Sequence, residues 1–309
     1  MQLRQMEYFQ KAGRLRSITR AAGELHISQP SVTVAVRKLE EELGVPLLDR
    51  SQKQIALTPE GRACLKRTDD ILARIRDLIS EMNDYRFAQK GIVKIGITPV
   101  IGAYFFPAAL ARFQENHPRV RVAVIEEGSL ALGKRLARGE LDLSMMITSQ
   151  ASSHLETVPV AEGQLLACFS RRNPLGKLQK IPFARLRDQP FIMFREDTYS
   201  RKLILDECTR NRFHPRIVFS SSQIETVMGM VGHGVGISFL LDTIVTKYPE
   251  VVGRPLDKPL RIEAGLAWSR DRYLSKAAKL LMESFLQAPR SIELWPATGA
   301  GAATPGRKK

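Results

Sequence analysis

The chain has 309 residues, 44% of them hydrophobic, and a formal net charge of +15, which is more than one typical domain and enough apolar material for a sizeable core. No apolar run reaches the roughly 18 residues of a membrane helix. The opening MQLRQMEYFQKAG lacks the apolar stretch of a secretory signal, so the expectation is a cytoplasmic protein with no membrane contact. Three cysteines, Cys64, Cys168 and Cys208, show neither paired nor metal-like spacing, which fits a reducing compartment and predicts no metal site and no cofactor.

Residues 3–14 read as a first helix, with Leu3, Met6, Phe9 and Gly13 along its inner side. Ile18, Ala21, Ala22 and Leu25 then fall at helical spacing on one face of a second, short helix. A polar break at 26–29 follows. Ser28 stands where an N-cap belongs, and Pro30 lies just inside the next helix, where a missing N–H costs nothing. Val32, Val36, Leu39 and Leu43 form its apolar stripe, and Gly44 and Pro46 end it. Two short helices around a tight turn match the helix-turn-helix pattern. At about 100° per residue, Pro30, Val34, Arg37 and Glu41 lie opposite the stripe, with Gln29, Ser31 and Thr33 on its shoulders.

In this motif the amino-terminal half of the second helix enters the major groove. Ser28, Gln29, Pro30, Ser31, Thr33, Val34 and Arg37 are therefore the candidate DNA-reading residues. Gln29 suits an adenine edge, Arg37 guanine or phosphate, Ser31 and Thr33 either, and Val34 a thymine methyl; an isolated surface valine is the plainer alternative. Residues 47–50 and 54–57 flank a polar tip and predict a two-stranded wing, with Arg50 and Lys53 near phosphates.

These residues resemble the LysR-type transcriptional regulators. The likeness runs through Leu3-Arg4-Gln5, SITRAAGELHISQPSVT, RKLEEELGVPLLDR and Leu57-Thr58-Pro59-Glu60-Gly61, and departs at Val34 and Ala35, where members carry longer polar or basic side chains. The resemblance implies a DNA-binding regulator that responds to a small-molecule effector and acts as a homodimer or homotetramer.

Thr58 predicts the cap of a long helix, with Pro59 in its first turn, running to about residue 88. Cys64, Thr68, Ile71, Ile75, Leu78, Met82 and Tyr85 repeat at alternating steps of four and three, a heptad seam broadened by Leu65, Leu72 and Ile79. Such a helix should pair with a second copy through Ile71, Ile75, Leu78 and Met82, since a dimeric reader needs two half-sites in register. Packing on its own chain is the alternative.

Beyond residues 89–91 the pattern becomes alternating strands and helices: strands at 92–97, 120–125 and 141–147, helices at 103–116 and 130–138. A second set has strands at 165–169, 191–194, 217–220 and 235–240 and helices at 199–212 and 224–233. A strand at 262–268 and a helix at 273–286 close the chain. This predicts parallel α/β sheets. The whole reads as a multi-domain α/β chain: a winged helix-turn-helix (1–58), a dimerising linker helix (59–90) and an effector domain (91–295). The runs GITPVIGAYFFPAALARFQENHP, RGELDLSMM and SSQIETVMGMVGHGVGIS resemble the two-lobed, periplasmic-binding-protein-like domain of the same family. Lobe I then spans 91–161 and 267–295 and lobe II 162–266, before a disordered tail at 296–309.

Ligands of open α/β sheets bind beyond the carboxyl ends of strands. Thr98, Ser129 and Thr148 stand there in the first lobe, Phe194, Thr198 and Ser222 in the second, and these are the expected effector contacts. Free amides at helix starts suit an anion, so a small carboxylate-bearing metabolite is the expected effector. Plain helix capping is the alternative for each hydroxyl. The glycine run at 232–236 follows a helix and leads into a strand, the reverse of a dinucleotide fingerprint. Residues 1–90 hold 16 Lys and Arg against 12 Asp and Glu, and residues 91–309 hold 31 against 20. Bulk charge therefore does not carry the DNA reading. A solute-binding protein would lack the helix-turn-helix, and nothing resembles a nucleophile elbow or cofactor loop, so no enzyme is expected. A redox pair of Cys168 and Cys208 is the remaining alternative.

Overall fold

The structure is a computed structural model and describes residues 1–51, 55–86, 91–149 and 151–287. It divides into one compact unit of residues 1–86 and a second that follows it.

In the first unit, α1 (Leu3–Leu15), α2 (Ile18–Leu25) and α3 (Gln29–Leu43) are followed by the short strands β1 (Leu48–Asp49) and β2 (Ala56–Leu57) and by α4 (Pro59–Arg86). The caps are those the sequence demands. Ser17 Oγ accepts from Arg20 N–H, Ser28 Oγ from Ser31 N–H, and Thr58 Oγ1 from Gly61 N–H. His26 and Gly44 take left-handed backbone where α2 and α3 stop. Phe9, Ala12, Ile18, Ala21, Val32, Val36, Leu39 and Leu47 close into one core. Leu3 and Leu43, expected inside, are exposed; each sits at a helix end, past the layer it was to join. The wing strands pair antiparallel, Leu48 opposite Leu57. Gln52, Lys53 and Gln54 of the wing lie outside the described residues. Asp69 of α4 accepts from Gln10 Nε2 and Arg14 Nη2, which moors the long helix to α1.

The second unit begins with β3 (Gly91–Ile97), α5 (Pro99–Tyr104), α6 (Phe106–Asn116), β4 (Val120–Glu126), α7 (Ser129–Ala137) and β5 (Leu143–Ile147). The expected single helix at 103–116 is therefore two. The break falls at Phe105, and Pro107 in the first turn of α6 has no N–H to give to the Ala103 carbonyl, so one helix cannot run through. Next come β6 (Leu155–Ser170), β7 (Pro190–Phe194), α8 (Tyr199–Arg210), β8 (Arg216–Ser221), α9 (Ile224–Gly232), β9 (Ser238–Leu241), α10 (Asp242–Val245), β10 (Val251–Ser269) and α11 (Lys276–Gln287).

Six strands form one sheet in the order β4-β3-β5-β10-β6-β9, and β7 pairs parallel with β8 in a smaller one. The expectation of parallel sheets holds only in part: β3 is parallel to β4 and β5, whereas β10 is antiparallel to β5 and β6. The short strands expected at 165–169 and 262–268 are segments of the two longest strands, β6 and β10. The lobe borders read from the sequence, at 161/162 and 266/267, thus fall inside continuous strands. One core gathers Val93, Ile95, Phe113, Leu143, Leu266 and Phe285; another gathers Phe169, Ile181, Phe191, Val227, Ile237 and Phe239. These are the two lobes, and β6 and β10 run through both. The tail at 296–309 lies outside the described residues, and no helix among those described is long and apolar enough to cross a membrane.

Two glycines give a test of opposite signs. A Cβ on Gly61 would lie 2.0 Å from the Leu47 carbonyl oxygen, whereas one on exposed Gly23 meets nothing within 4 Å. Gly61→Ala should destabilise the first unit by about 1–3 kcal/mol, and Gly23→Ala should stabilise it by about 0.5–1 kcal/mol. Urea unfolding of the full chain, followed by helical circular dichroism, measures both.

Candidate functional site

The start of α3 stands free. Ser28, Gln29, Pro30, Ser31, Val34 and Arg37 are all exposed, and Val34 keeps 51% of its surface. Thr33 is half-buried and spends its hydroxyl on the Gln29 carbonyl, 3.1 Å away. Ser28 and Ser31 share a hydroxyl bond of 2.7 Å. The Gln29 and Arg37 side chains have no hydrogen-bond partner among the described residues. The face thus presents an amide, a guanidinium and a bare valine side by side.

Behind it the wing is held by Glu40, a residue sequence reasoning missed. Its Oε1 accepts from Leu47 N–H and Leu48 N–H at 2.9 and 3.0 Å, and its Oε2 takes Arg50 Nη2 at 2.8 Å. The expected phosphate contact Arg50 is therefore ion-paired within the unit. On α4, Ile71, Leu78, Met82 and Tyr85 are exposed and Ile75 is half-buried, whereas Thr68 and Leu72 of the same helix are buried.

In the second unit a cavity of about 60 Å³ opens where the two lobes meet. Thr98, Val100 and Ser129 line it from the first lobe, Phe194, Thr198, Tyr199 and Phe239 from the second. Leu165, Ile262 and Ala264 of the two long strands form its floor. Four of the six expected effector residues, Thr98, Ser129, Phe194 and Thr198, come together in this wall. Thr148 does not: it donates to Glu263 Oε1 at 2.8 Å, away from the cavity. Ser222 is also outside it. The strand residues of the floor were missed because their segments looked like parts of separate strands.

Hydrogen bonds join the lobes at two places. Gly128 N–H donates to Asp197 Oδ2 at 2.9 Å and Leu130 N–H to the Asp197 carbonyl at 3.1 Å. Gly128, not Ser129, occupies the N-cap position of α7, and a Cβ there would lie 2.1 Å from the Asp197 carbonyl oxygen. Ser129 Oγ accepts instead from Ile147 N–H. Elsewhere Tyr104 and Tyr248 share a 2.7 Å bond, and Tyr248 donates to Glu225. Burial first, then these partners, pushes the Tyr248 hydroxyl pKa up.

Cys168 and Cys208 are buried and free, and burial pushes both thiols up to about 12. Among the described residues no cluster of His, Cys, Asp or Glu could hold a metal ion.

Comparison with known proteins locates both units. Residues 3–62 match the model of bacterial regulatory helix-turn-helix proteins of the lysR family, and residues 88–290 match the LysR substrate binding domain. The HTH-type transcriptional regulator YwbI of Bacillus subtilis is 33% identical, over 94% of this chain and 98% of its own. The LysR family regulator HinK of Pseudomonas aeruginosa is 26% identical, with TM-score 0.54, over 93% of this chain and 98% of that one. A peroxide-bound mutant of Corynebacterium glutamicum OxyR, 21% identical over 94% of each chain, has TM-score 0.57 and shares the fold.

Burial that raises both thiols keeps Cys168 and Cys208 in the thiol form near neutral pH. Thiolate, not thiol, is the reactive form. Cys168 and Cys208 should stay unmodified by iodoacetamide at pH 8 in the folded chain and react only after denaturation. Mass spectrometry reads the outcome; rapid labelling of either, or a disulfide after mild peroxide, would contradict the burial argument.

Proposed function

The chain belongs to the LysR family of bacterial transcriptional regulators, and on that premise we propose that a small molecule in the interlobe cavity controls how it engages promoter DNA. The family binds DNA through its helix-turn-helix. Here the reading surface is the amino-terminal half of α3, with Gln29, Ser31, Thr33, Val34 and Arg37 over base edges and Ser28 and Pro30 at the backbone. The observation that supports this most is the exposed row of Gln29, Val34 and Arg37, whose two polar side chains have no hydrogen-bond partner among the described residues. Arg50 and Lys53 serve phosphates, Arg50 held to its place by Glu40.

Two copies pair through α4, where Ile71, Leu78, Met82 and Tyr85 leave an apolar stripe exposed. Helices with such a stripe associate in water to bury it. A pair of α4 helices sets two α3 helices on two half-sites, and a homodimer or homotetramer follows. The protein acts in the cytoplasm, where its promoters are, and no enzymatic role is assigned. The division at 58/59 and 90/91, with lobes changing over within β6 and β10, is the working domain map.

The effector occupies the cavity, with Thr98, Ser129, Phe194 and Thr198 as its expected contacts. Closing the lobes on it alters the subunit arrangement by shifting a population between two assemblies. A carboxylate effector, expected from the helix starts, finds no lysine or arginine in this wall.

Sheared genomic DNA retained by the full chain and then sequenced tests the reading. The result expected is a small set of intergenic fragments with paired half-sites one or more helical turns apart. Gln29→Ala should lower the preference at its own base position by about 1–3 kcal/mol. Leu78→Glu combined with Met82→Glu should give a monomer by sedimentation and weaken operator binding more than tenfold. Uniform retention of all fragments, lost with salt, would mean backbone contact alone and would overturn the proposal.

A further inference from the structure

We infer that the occupant of the interlobe cavity is an uncharged, mainly apolar small molecule of about one ring's bulk, carrying a single carbonyl or hydroxyl group. This rests on the reading of the cavity as the effector site and names the class of molecule that fits it.

Charge is the first argument. No ionisable side chain other than the Tyr199 phenol lines the cavity. Arg201, one turn into α8, is already committed: its Nη1 donates to the Phe194 carbonyl and to Ser220 Oγ, and it pairs with Glu196. The amides at the start of α7, which would attract an anion, are filled from within, since the Asp197 carboxylate and carbonyl take Gly128 N–H and Leu130 N–H. That carboxylate places a negative charge beside Ser129. An ionised ligand buried here would lose its hydration without a cation to replace it, a penalty of several kcal/mol.

The second argument is a polar atom that lacks a partner. Thr98 is 92% buried, being 8% exposed, and its side chain makes no cap bond to α5. Its backbone N–H and carbonyl are bonded, to the Met145 carbonyl and Gly102 N–H, but its hydroxyl has no hydrogen-bond partner among the described residues. A hydroxyl that lines the cavity with no protein partner is free to pair with a ligand group, a hydrogen bond worth about 0.5–1.5 kcal/mol. Ser129, 6% exposed, uses its oxygen to accept from Ile147 N–H and keeps its own proton to donate. Thr98 and Ser129 together suit one neutral oxygen. The rest of the wall, including Val100, Phe194, Ile262 and Ala264, offers hydrocarbon. A water needs about 10–15 Å³ of such space, so the cavity of about 60 Å³ takes roughly the bulk of a small ring.

The experiment compares benzyl alcohol with benzoate, which share a shape and differ in charge. Each is titrated into the full chain while thermal unfolding is followed, for wild type, Ala264→Leu and Thr98→Val. Benzyl alcohol should raise the Tm saturably in the wild type. The rise should vanish in Ala264→Leu, whose longer side chain fills the cavity, and Thr98→Val should need about three- to tenfold more alcohol. Benzoate should give no rise. A benzoate rise that matches or exceeds the alcohol's and vanishes in Ala264→Leu overturns the neutral class and leaves the cavity as the effector site. An alcohol rise that survives in Ala264→Leu removes the cavity itself. No rise with either compound also overturns the inference.

Discussion

The second unit depends on one ladder. β6 and β10 pair antiparallel from Leu155 opposite Ser269 to Ser170 opposite Val251, and so run through both lobes. Their register shifts twice, between Pro255 and Leu260 and between Ala264 and Gly265. A bulge frees an extra residue and bends the strand locally. Gly265 allows the second shift, because a Cβ there would lie 2.3 Å from the Val158 carbonyl oxygen. The cavity floor, Leu165, Ile262 and Ala264, is built on the same stretch. A ligand on that floor would therefore touch both strands that run through the two lobes. Opening would also break the two bonds to Asp197 and the one between Tyr104 and Tyr248. At about 0.5–1.5 kcal/mol each, their sum is comparable with typical coupling free energies between sites.

The first unit follows a different logic, in which helix ends do the positioning. Ser28 caps α3 with its side chain and leaves Gln29, Val34 and Arg37 facing outward. Glu40, two turns past Thr33 on the same helix, clamps the first wing strand through two backbone amides. Gly61 lets α4 start against the Leu47 carbonyl, and Asp69 ties it back to α1. The start of α3, the wing and α4 are thus fixed to one another by a few short contacts. In the dimer proposed above, the spacing of the two α3 helices would be a property of the α4 pair.

Most of the first unit was legible because its signals are local. Caps, a Pro in the first turn, a glycine stop and a stripe of period 3.6 each report on their own neighbourhood. Where the reading failed there, at Leu3 and Leu43, periodicity gave the face but not the end of the layer it packs on. In the second unit the identity of most elements could be read, whereas their continuity could not. Pro159 and Gly163 interrupt β6, and Pro255 and Gly265 interrupt β10, so each long strand read as pieces. Non-local pairing carries the ladder across those residues. The same kind of long-range contact decided the candidate site. Thr98 and Ser129 reached the cavity as their strand ends implied, but Thr148 was drawn to Glu263, 115 residues away in sequence. The filling of the α7 start by Asp197 likewise had no local trace.

The central claim is that the cavity of the second unit controls how the first engages DNA. Hydroxyl-radical footprinting of wild type and Ala264→Leu on one promoter fragment bound by the chain tests it most directly. The account predicts protection of the same half-site bases by both proteins, with a different length or spacing of the protected stretch when the cavity is filled by leucine. Identical footprints at equal occupancy, from a variant that unfolds as cooperatively as wild type, would contradict it.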